Sequence, residues 1–317
     1  KIILNADGLV DRVHVPPRLE AHRLIEEMMI AANVCAAETL EQHHSPLVYR
    51  THDVPGVEKL AALRDFLGSL NLSFSKADAV RPSHFNQVLS KAEGSAHAHQ
   101  VSEMVLRSQA QAEYSAENYG HFGLNLDRYA HFTSPIRRYA DLIVHRALIA
   151  ALDLGAGGLR AEDQAGLSGI AQHISGTERR AMIAERETVD RLIAQFLAGH
   201  IGARFSGKIS GVTRSGLFVK LDDTGADGFV PASSLGSEFF RYVEEQQAMI
   251  GERSGERFRL GDAVDVRLLE AAPVAGALRF EILSDGERVA PPDGGRTRTR
   301  FGRGSAAPRR GKKGKRR

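Results

Sequence analysis

Gly207-Lys208-Ile209-Ser210-Gly211-Val212-Thr213-Arg214-Ser215-Gly216-Leu217-Phe218-Val219-Lys220-Leu221 decides how the second half of the chain folds. At the two-residue period of a strand, Leu217, Val219 and Leu221 share one face, and Phe218 and Lys220 share the other. The first set suits the interior of a barrel. The second sets an aromatic ring beside a cation on the outside, where a nucleic-acid base could stack for ~1–3 kcal/mol with little regard to its sequence. Lys208, Arg214 and Arg267 could add contacts to backbone phosphates. A purely structural reading stays open, in which Phe218 packs against a neighbouring domain and the cations only solubilise.

Outward from this stretch, Phe205–Val212, Gly216–Leu221, Gly228–Pro231, Ala263–Leu269 and Leu278–Leu283 give five short strands with Gly-rich turns, the pattern of a small OB-type barrel. After Asp285 the composition turns to Pro, Gly and Arg, and Gly286–Arg317 is expected to be disordered. From Glu287 onward twelve Lys and Arg face two acids, so the tail holds a surplus of about ten positive charges; with +3 for the whole chain, the body is near −7. An acidic body with a basic tail fits a polyanion-binding appendage, or a tail that merely solubilises.

Upstream of Gly202 the periodicity is helical. Residues 1–18 read as a hairpin with Asp7-Gly8 at its turn. A helix follows from Leu19 to Gln42, with Leu24, Met28, Ala31 or Ala32, and Cys35 at helical spacing. Leu47–His52 has strand character. Further helices are expected at Glu58–Leu70, with Leu60, Leu63, Phe66 and Leu67 on one side, at Pro82–Lys91 and at Val101–Ala112. Tyr119–Leu124 breaks the pattern as an ordered loop, and residues 161–199 form one long helix or two. No apolar run of ~18 residues offers a membrane span, and the first residues lack the layout of a signal peptide. The single cysteine, Cys35, excludes an internal disulfide and a cysteine-built zinc site, which points to the cytoplasm.

Three polar clusters carry potential chemistry. In Glu26-Glu27-Met28-Met29-Ile30-Ala31-Ala32-Asn33, paired acids and an amide on one helix could bind ribose hydroxyls or a base edge, or form a solvated face. In Ser134-Pro135-Ile136-Arg137-Arg138-Tyr139-Ala140-Asp141, Ser134 suits a helix cap and Pro135 the first helical position. Asp141 lies four residues from Arg137 and could hold its guanidinium. Arginines at a helix start oppose the dipole unless an anion binds there, so a phosphate would resolve the mismatch. The third cluster, Ala184-Glu185-Arg186-Glu187-Thr188-Val189-Asp190, reads unaided as a charged solvent face.

Taken in order, Glu26–Asn33, Tyr49-Arg50-Thr51-His52, His121-Phe122-Gly123-Leu124 and Thr133–Tyr139 resemble the second half of the catalytic domain of the RNase II/RNase R (RNB) exoribonuclease family. Gly216-Leu217-Phe218-Val219 and Gly228-Phe229-Val230-Pro231, followed by Ser233-Ser234-Leu235, resemble the RNA-binding domain first described in ribosomal protein S1. With the basic tail, the arrangement is more similar to the RNase R branch than to RNase II. The resemblance implies an α+β fold: a mostly helical part of an RNB catalytic domain over 1–200, a five-stranded S1-type OB barrel over 203–285, and a disordered basic tail over 286–317. It implies processive 3′-to-5′ hydrolysis of RNA to nucleoside 5′-monophosphates, with Mg2+ as cofactor.

On that resemblance Arg137 is the catalytic residue at the scissile phosphate. Glu26 or Glu27 and Glu185 meet the sugar or base. Arg138, Tyr139, Phe218, Lys208, Arg214 and Lys220 complete the RNA contacts. The family's magnesium ligands, a tight cluster of aspartates early in the catalytic domain, have no counterpart, because the early aspartates Asp7 and Asp11 sit in a turn region. The chain is therefore expected to start downstream of that cluster, to hold no metal ligands and to be inactive alone. Single-stranded RNA is the expected partner of a monomer, with the ribosome or RNA-degradation machinery as further candidates and no membrane. The alternatives are a non-catalytic RNA-binding protein using barrel and tail, and a family member that keeps the fold as a scaffold.

Overall fold

A computed structural model describes residues 2–8, 10–13, 16–75, 77, 79–95 and 97–288 of the protein. The chain opens with a hairpin of β1 (Ile2–Leu4) and β2 (Val10–Val13), followed by the long helix α1 (Glu20–Gln42). Next come β3 (Tyr49–Thr51), α2 (Val57–Ser69), α3 (Pro82–Ala92), α4 (Ala98–Ser108) and β4 (Glu113–Ser115). Helices α5 (Tyr139–Ala151), α6 (Ala161–Ala165) and α7 (Leu167–Leu197) complete the helical part. No helix among the described residues is long and apolar enough to cross a membrane.

The barrel is closed, as the strand pattern requires. Its strands are β5 (Arg204–Thr213), β6 (Gly216–Leu221), β7 (Asp227–Pro231), β11 (Ala263–Ala272) and β12 (Ala277–Ile282), in the order β11-β12-β7-β6-β5. Only the β12–β7 pair, joined at Arg279 and Phe229, is parallel. Leu217, Val219 and Leu221 are buried while Phe218 and Lys220 face outward. Two glycines make closure possible. Gly216 takes φ 149° with the Val230 carbonyl in the space of a side chain, and a Cβ on Gly228 would lie 2.2 Å from the Phe280 ring.

A second sheet takes β8 (Phe240–Val243), β9 (Ala248–Gly251) and β10 (Glu256–Arg259) from the segment between β7 and β11 and β13 (Glu287–Arg288) from beyond β12, in the order β13-β10-β9-β8. No period in the sequence announces this sheet, because its strands are only two to four residues long. Gly286 and Glu287, expected in the disordered tail, are instead held here: Gly286 N–H donates to Glu256 (2.7 Å) and Glu287 pairs with Arg257 and Arg259 (2.6 and 2.7 Å). Residues 289–317, with the cationic clusters of the tail, lie outside the described residues.

Apolar packing forms two clusters. The larger joins α2, α3, α4 and the end of α7 to the barrel, so that Leu63, Phe66, Phe85 and Val101 share one core with Val219 and Phe258. The smaller packs the C-terminal half of α1 with β3, β4, α5 and the start of α7. The apolar set at helical spacing on α1 is not the face that is buried. Leu24 and Met28 are each 57% exposed and Cys35 is exposed, while Asn33, Ala36, Ala37 and Leu40 are buried. Both sets have helical spacing. The buried one was hidden because its first member is a polar residue with tertiary partners.

Candidate nucleic-acid interface

The stretch Ser134–Asp141 forms a turn and then a helix, not one capped helix. Ser134 carbonyl accepts from the N–H groups of Arg137 (3.3 Å) and Arg138 (3.1 Å), with Pro135 at the second turn position, where its fixed φ is suited. Helix α5 begins only at Tyr139, with Arg138 at the cap. The fully buried Asp141 carboxylate reaches back to accept Ser134 N–H (2.7 Å) and two guanidinium N–H bonds from Arg138 (2.7 and 2.8 Å). The expected Arg137–Asp141 pair is therefore replaced by Arg138–Asp141. Three residues, not four, separate the partners because Arg138 sits at the cap and its side chain folds over the first turn.

That substitution frees Arg137. Its guanidinium is exposed and takes no hydrogen bond or ion pair among the described residues. It borders a cleft of about 200 Å³ shared with Glu26, Asn33, Leu124, Tyr129 and Arg138. Glu26 pairs with the exposed Arg18 at the edge. Glu27 is exposed and does not line the cleft, so Glu26 is the inward member of the acidic pair. Tyr139, 48% exposed, stands beside the cleft without lining it. Glu185 lies on the exposed middle of α7 and does not join these residues.

Asn33 is not a ligand group, although its motif suggested one. It is buried, its amide donates to Tyr129 Oη (2.8 Å), and its carbonyl accepts from Phe132 N–H (2.9 Å). It thus pins the loop that leads into the Arg137 turn to α1. Behind this loop runs a set of packed rings. His52 stacks on His121 (5.2 Å), His121 meets Tyr129 (5.3 Å), and Tyr129 meets His131 (5.7 Å). Tyr114 Oη and His131 Nδ1 share a hydrogen bond (3.0 Å), and Arg50 lies 4.7 Å above the Tyr114 ring while pairing with Glu178 (2.7 Å).

His52 ties two of the sequence motifs together: Nε2 donates to the Ala110 carbonyl and Nδ1 accepts from Gly123 N–H, each at 2.8 Å. Burial, aided by the charges of Arg138 and Arg50, drives the His131 pKa down to about 3. Burial and then His52 drive that of His121 down to about 4. Both rings are neutral near pH 7, and His121 Nδ1 accepts from Leu124 N–H, which a protonated Nδ1 could not do. This wall escaped the sequence reading. The motifs Tyr49–His52 and His121–Leu124 were visible, but their contact was not.

The barrel presents a separate face. Phe218, 39% exposed, lies 5.2 Å from the Phe229 ring and seats against Gly211. Lys208 and Lys220 are exposed and directly opposed on β5 and β6. Arg214 is exposed at the tip of the β5–β6 hairpin. Arg267 pairs with Glu281 across β11 and β12 (3.3 Å), which withdraws it from the set of free cations. Among the described residues no group of three or more His, Cys, Asp or Glu side chains could hold a metal ion. The residues present therefore do not fit the magnesium that the resemblance implies, and no chemical step is routed through it.

Family models match the chain twice: an RNB domain over residues 1–154 and an S1 RNA binding domain over 200–282. The chain is similar to ribonuclease R of Escherichia coli, 39% identical over 322 residues, covering 99% of this chain and 39% of that protein. It is similar to ribonuclease R of Aquifex aeolicus at 37% identity, covering 91% of this chain and 41% of the relative. The chain thus spans about two fifths of the length of these relatives. Among solved structures it superposes on the apo form of Mycoplasma genitalium RNase R with a TM-score of 0.82 at 28% identity, covering 89% of this chain and 45% of that one. The same enzyme in complex with ribose methylated single-stranded RNA gives a TM-score of 0.81. The chain belongs to the RNase II/RNase R (RNB) exoribonuclease family, with an RNB-domain stretch leading into an S1 RNA binding domain.

Proposed function

We propose that this chain is the RNA-guiding and phosphate-contacting part of a 3′-to-5′ exoribonuclease that releases nucleoside 5′-monophosphates processively. The observation that carries this reading is the unpartnered Arg137 guanidinium in a cleft with Glu26, beside an Arg138 that is fully engaged by Asp141. A guanidinium so presented can hold a phosphate by two parallel N–H bonds and stabilise charge that develops on it. Glu26 would accept from a ribose hydroxyl at the strand end. Lys208, Lys220, Arg214 and the Phe218 platform would lead single-stranded RNA toward the cleft. Arg138 serves the site through the turn it holds, and Tyr139 flanks it.

The division proposed is a helical RNB part over 1–200, an S1-type barrel over 203–285 and a basic tail beyond residue 288, and the first two units share one apolar core. With no metal-ligand group among the described residues, the 317-residue chain alone is expected to bind RNA without hydrolysing it, as a cytoplasmic monomer. The exposed Phe218 ring, backed by Phe229, supports a second reading, a non-catalytic RNA-binding protein, with the ribosome or degradation machinery as partners. The two separate by experiment. In a protein of the relatives' full length, Arg137→Ala should lower Mg2+-dependent mononucleotide release from 3′-labelled RNA by ~10²–10³-fold, the cost of losing one transition-state donor. Unchanged release would remove Arg137 from the chemistry, and no release from the parent protein would favour the binding-only reading.

A further inference from the structure

Where α4 lies against the barrel there is a pocket of about 280 Å³, separate from the Arg137 cleft and close to the lower end of the ~300–1,000 Å³ typical of ligand sites. Its floor is apolar, with Ile209, Leu221 and Leu260 buried. Lys208 and Lys220 stand on its rim, directly opposed across β5 and β6. Like charges so placed repel each other, yet neither ammonium has a carboxylate partner among the described residues. Asp227, opposite Lys220 on β7, instead accepts from the Ser210 hydroxyl (2.8 Å). From α4 the pocket receives His99 and Glu103, and the β6 end contributes Asp222. Glu103 is only loosely tied, to Arg107 at 3.4 Å, whose guanidinium also donates to the Ser210 carbonyl.

We infer that this pocket takes one nucleotide of an RNA strand whose base carries an exocyclic amino group. The phosphate sits on the Lys208–Lys220 pair, where an anion relieves the repulsion. The base covers the apolar floor, and the Glu103 carboxylate accepts from its amino group. A carboxylate suits the amino donor of cytosine and rejects the carbonyl that uracil presents at the same ring position. The pocket also continues the barrel platform. Phe218 and Lys220 share the outer face of β6 two residues apart, about 6.8 Å along the strand. A base stacked on Phe218 therefore delivers the next phosphate toward the lysine pair. This inference rests on the RNA reading above and adds to it a base preference and a residue of the helical part.

The test is fluorescence anisotropy of labelled oligo(C) and oligo(U) of equal length with the 317-residue chain. The parent should favour oligo(C) by about tenfold, the effect of one good base-edge contact. Glu103→Gln should abolish that preference and leave oligo(U) affinity unchanged. The double variant Lys208→Gln/Lys220→Gln should weaken both and reduce the slope of log K against log salt by about 1.4, as two lost phosphate contacts on a single strand require. In parallel, CMP should shift the His99 ring resonances more than UMP does. Equal affinities for the two RNAs, with both variants silent, would overturn the pocket while the RNA reading stands. Failure of the parent to bind either RNA would overturn both.

Discussion

Replacing Asp141 by Asn separates the support of the Arg137 cleft from its function. Asp141 accepts three hydrogen bonds, two from Arg138 and one from Ser134, and is fully buried. Asparagine keeps one acceptor oxygen, but turns the other position into a donor facing the guanidinium. Removing one partner of a buried ion pair costs ~3–5 kcal/mol. Arg138 keeps 20% of its side-chain surface in water, which eases the loss of its partner. The expected loss is therefore about 2–3 kcal/mol, out of a total of ~5–15 kcal/mol for a typical domain. In urea this lowers the unfolding midpoint by about 1 M at a typical slope. The same change unpins the turn that presents Arg137, so RNA affinity of the folded variant falls as well. Arg137→Ala is the contrasting variant. With no partner to lose, it should leave stability within about 0.5 kcal/mol while weakening binding of single-stranded RNA. Urea unfolding and RNA anisotropy on both proteins decide the matter. An Asp141→Asn protein as stable as the parent, or an Arg137→Ala protein destabilised by more than about 1 kcal/mol, would refute the partition of the two arginines.

Stability should fall as pH drops below about 6.5. His131 and His121 stay neutral in the fold down to about 3 and 4, while the unfolded chain takes up protons near 6.5 and so binds more of them across that window. Each ring adds a slope of about 1.4 kcal/mol per pH unit. His131→Gln, which retains a hydrogen-bonding group beside Tyr114, should shallow the urea-derived profile between pH 6 and 5, and an unaltered slope would count against burial as the cause. Gly228→Ala places a methyl 2.2 Å from the Phe280 ring; overpacking of ~1–3 kcal/mol should lower the thermal midpoint, and an unchanged Tm would contradict the close approach. Phe218→Ala should weaken single-stranded RNA binding by ~1–3 kcal/mol for any sequence, and equal affinity would return Phe218 to a packing role. Deleting residues 289–317 should flatten the salt dependence of RNA binding, measured as the slope of log K against log salt, if their cations meet phosphates.

The barrel was legible because its information is local. Alternation in Leu217-Phe218-Val219-Lys220-Leu221 assigns each side chain a face wherever the strand lies, and closure supplies the interior those faces need. Helix α2 was legible for the same reason, through its stripe of Leu60, Leu63, Phe66 and Leu67. Legibility failed where a polar residue belongs to the core. Asn33 opens the buried face of α1 because Tyr129 and Phe132 satisfy both ends of its amide, partners that helical spacing does not encode. It failed again at the small sheet of β8, β9, β10 and β13, whose strands are too short for a period to register.

The site divides in the same way. By itself the sequence determined the residues of the Ser134–Asp141 stretch, the outward pair Phe218 and Lys220, and the family resemblance in which they stand. Only the tertiary structure decided which arginine Asp141 holds, because a carboxylate reaches three or four residues back and the helix start selects between them. Only the structure decided that Glu26, and not Glu27, borders the cleft, and that Lys208 and Lys220 share a pocket with α4. Periodicity fixes the face on which a side chain stands. What waits on that face is brought there by distant parts of the chain, and no local spacing encodes it.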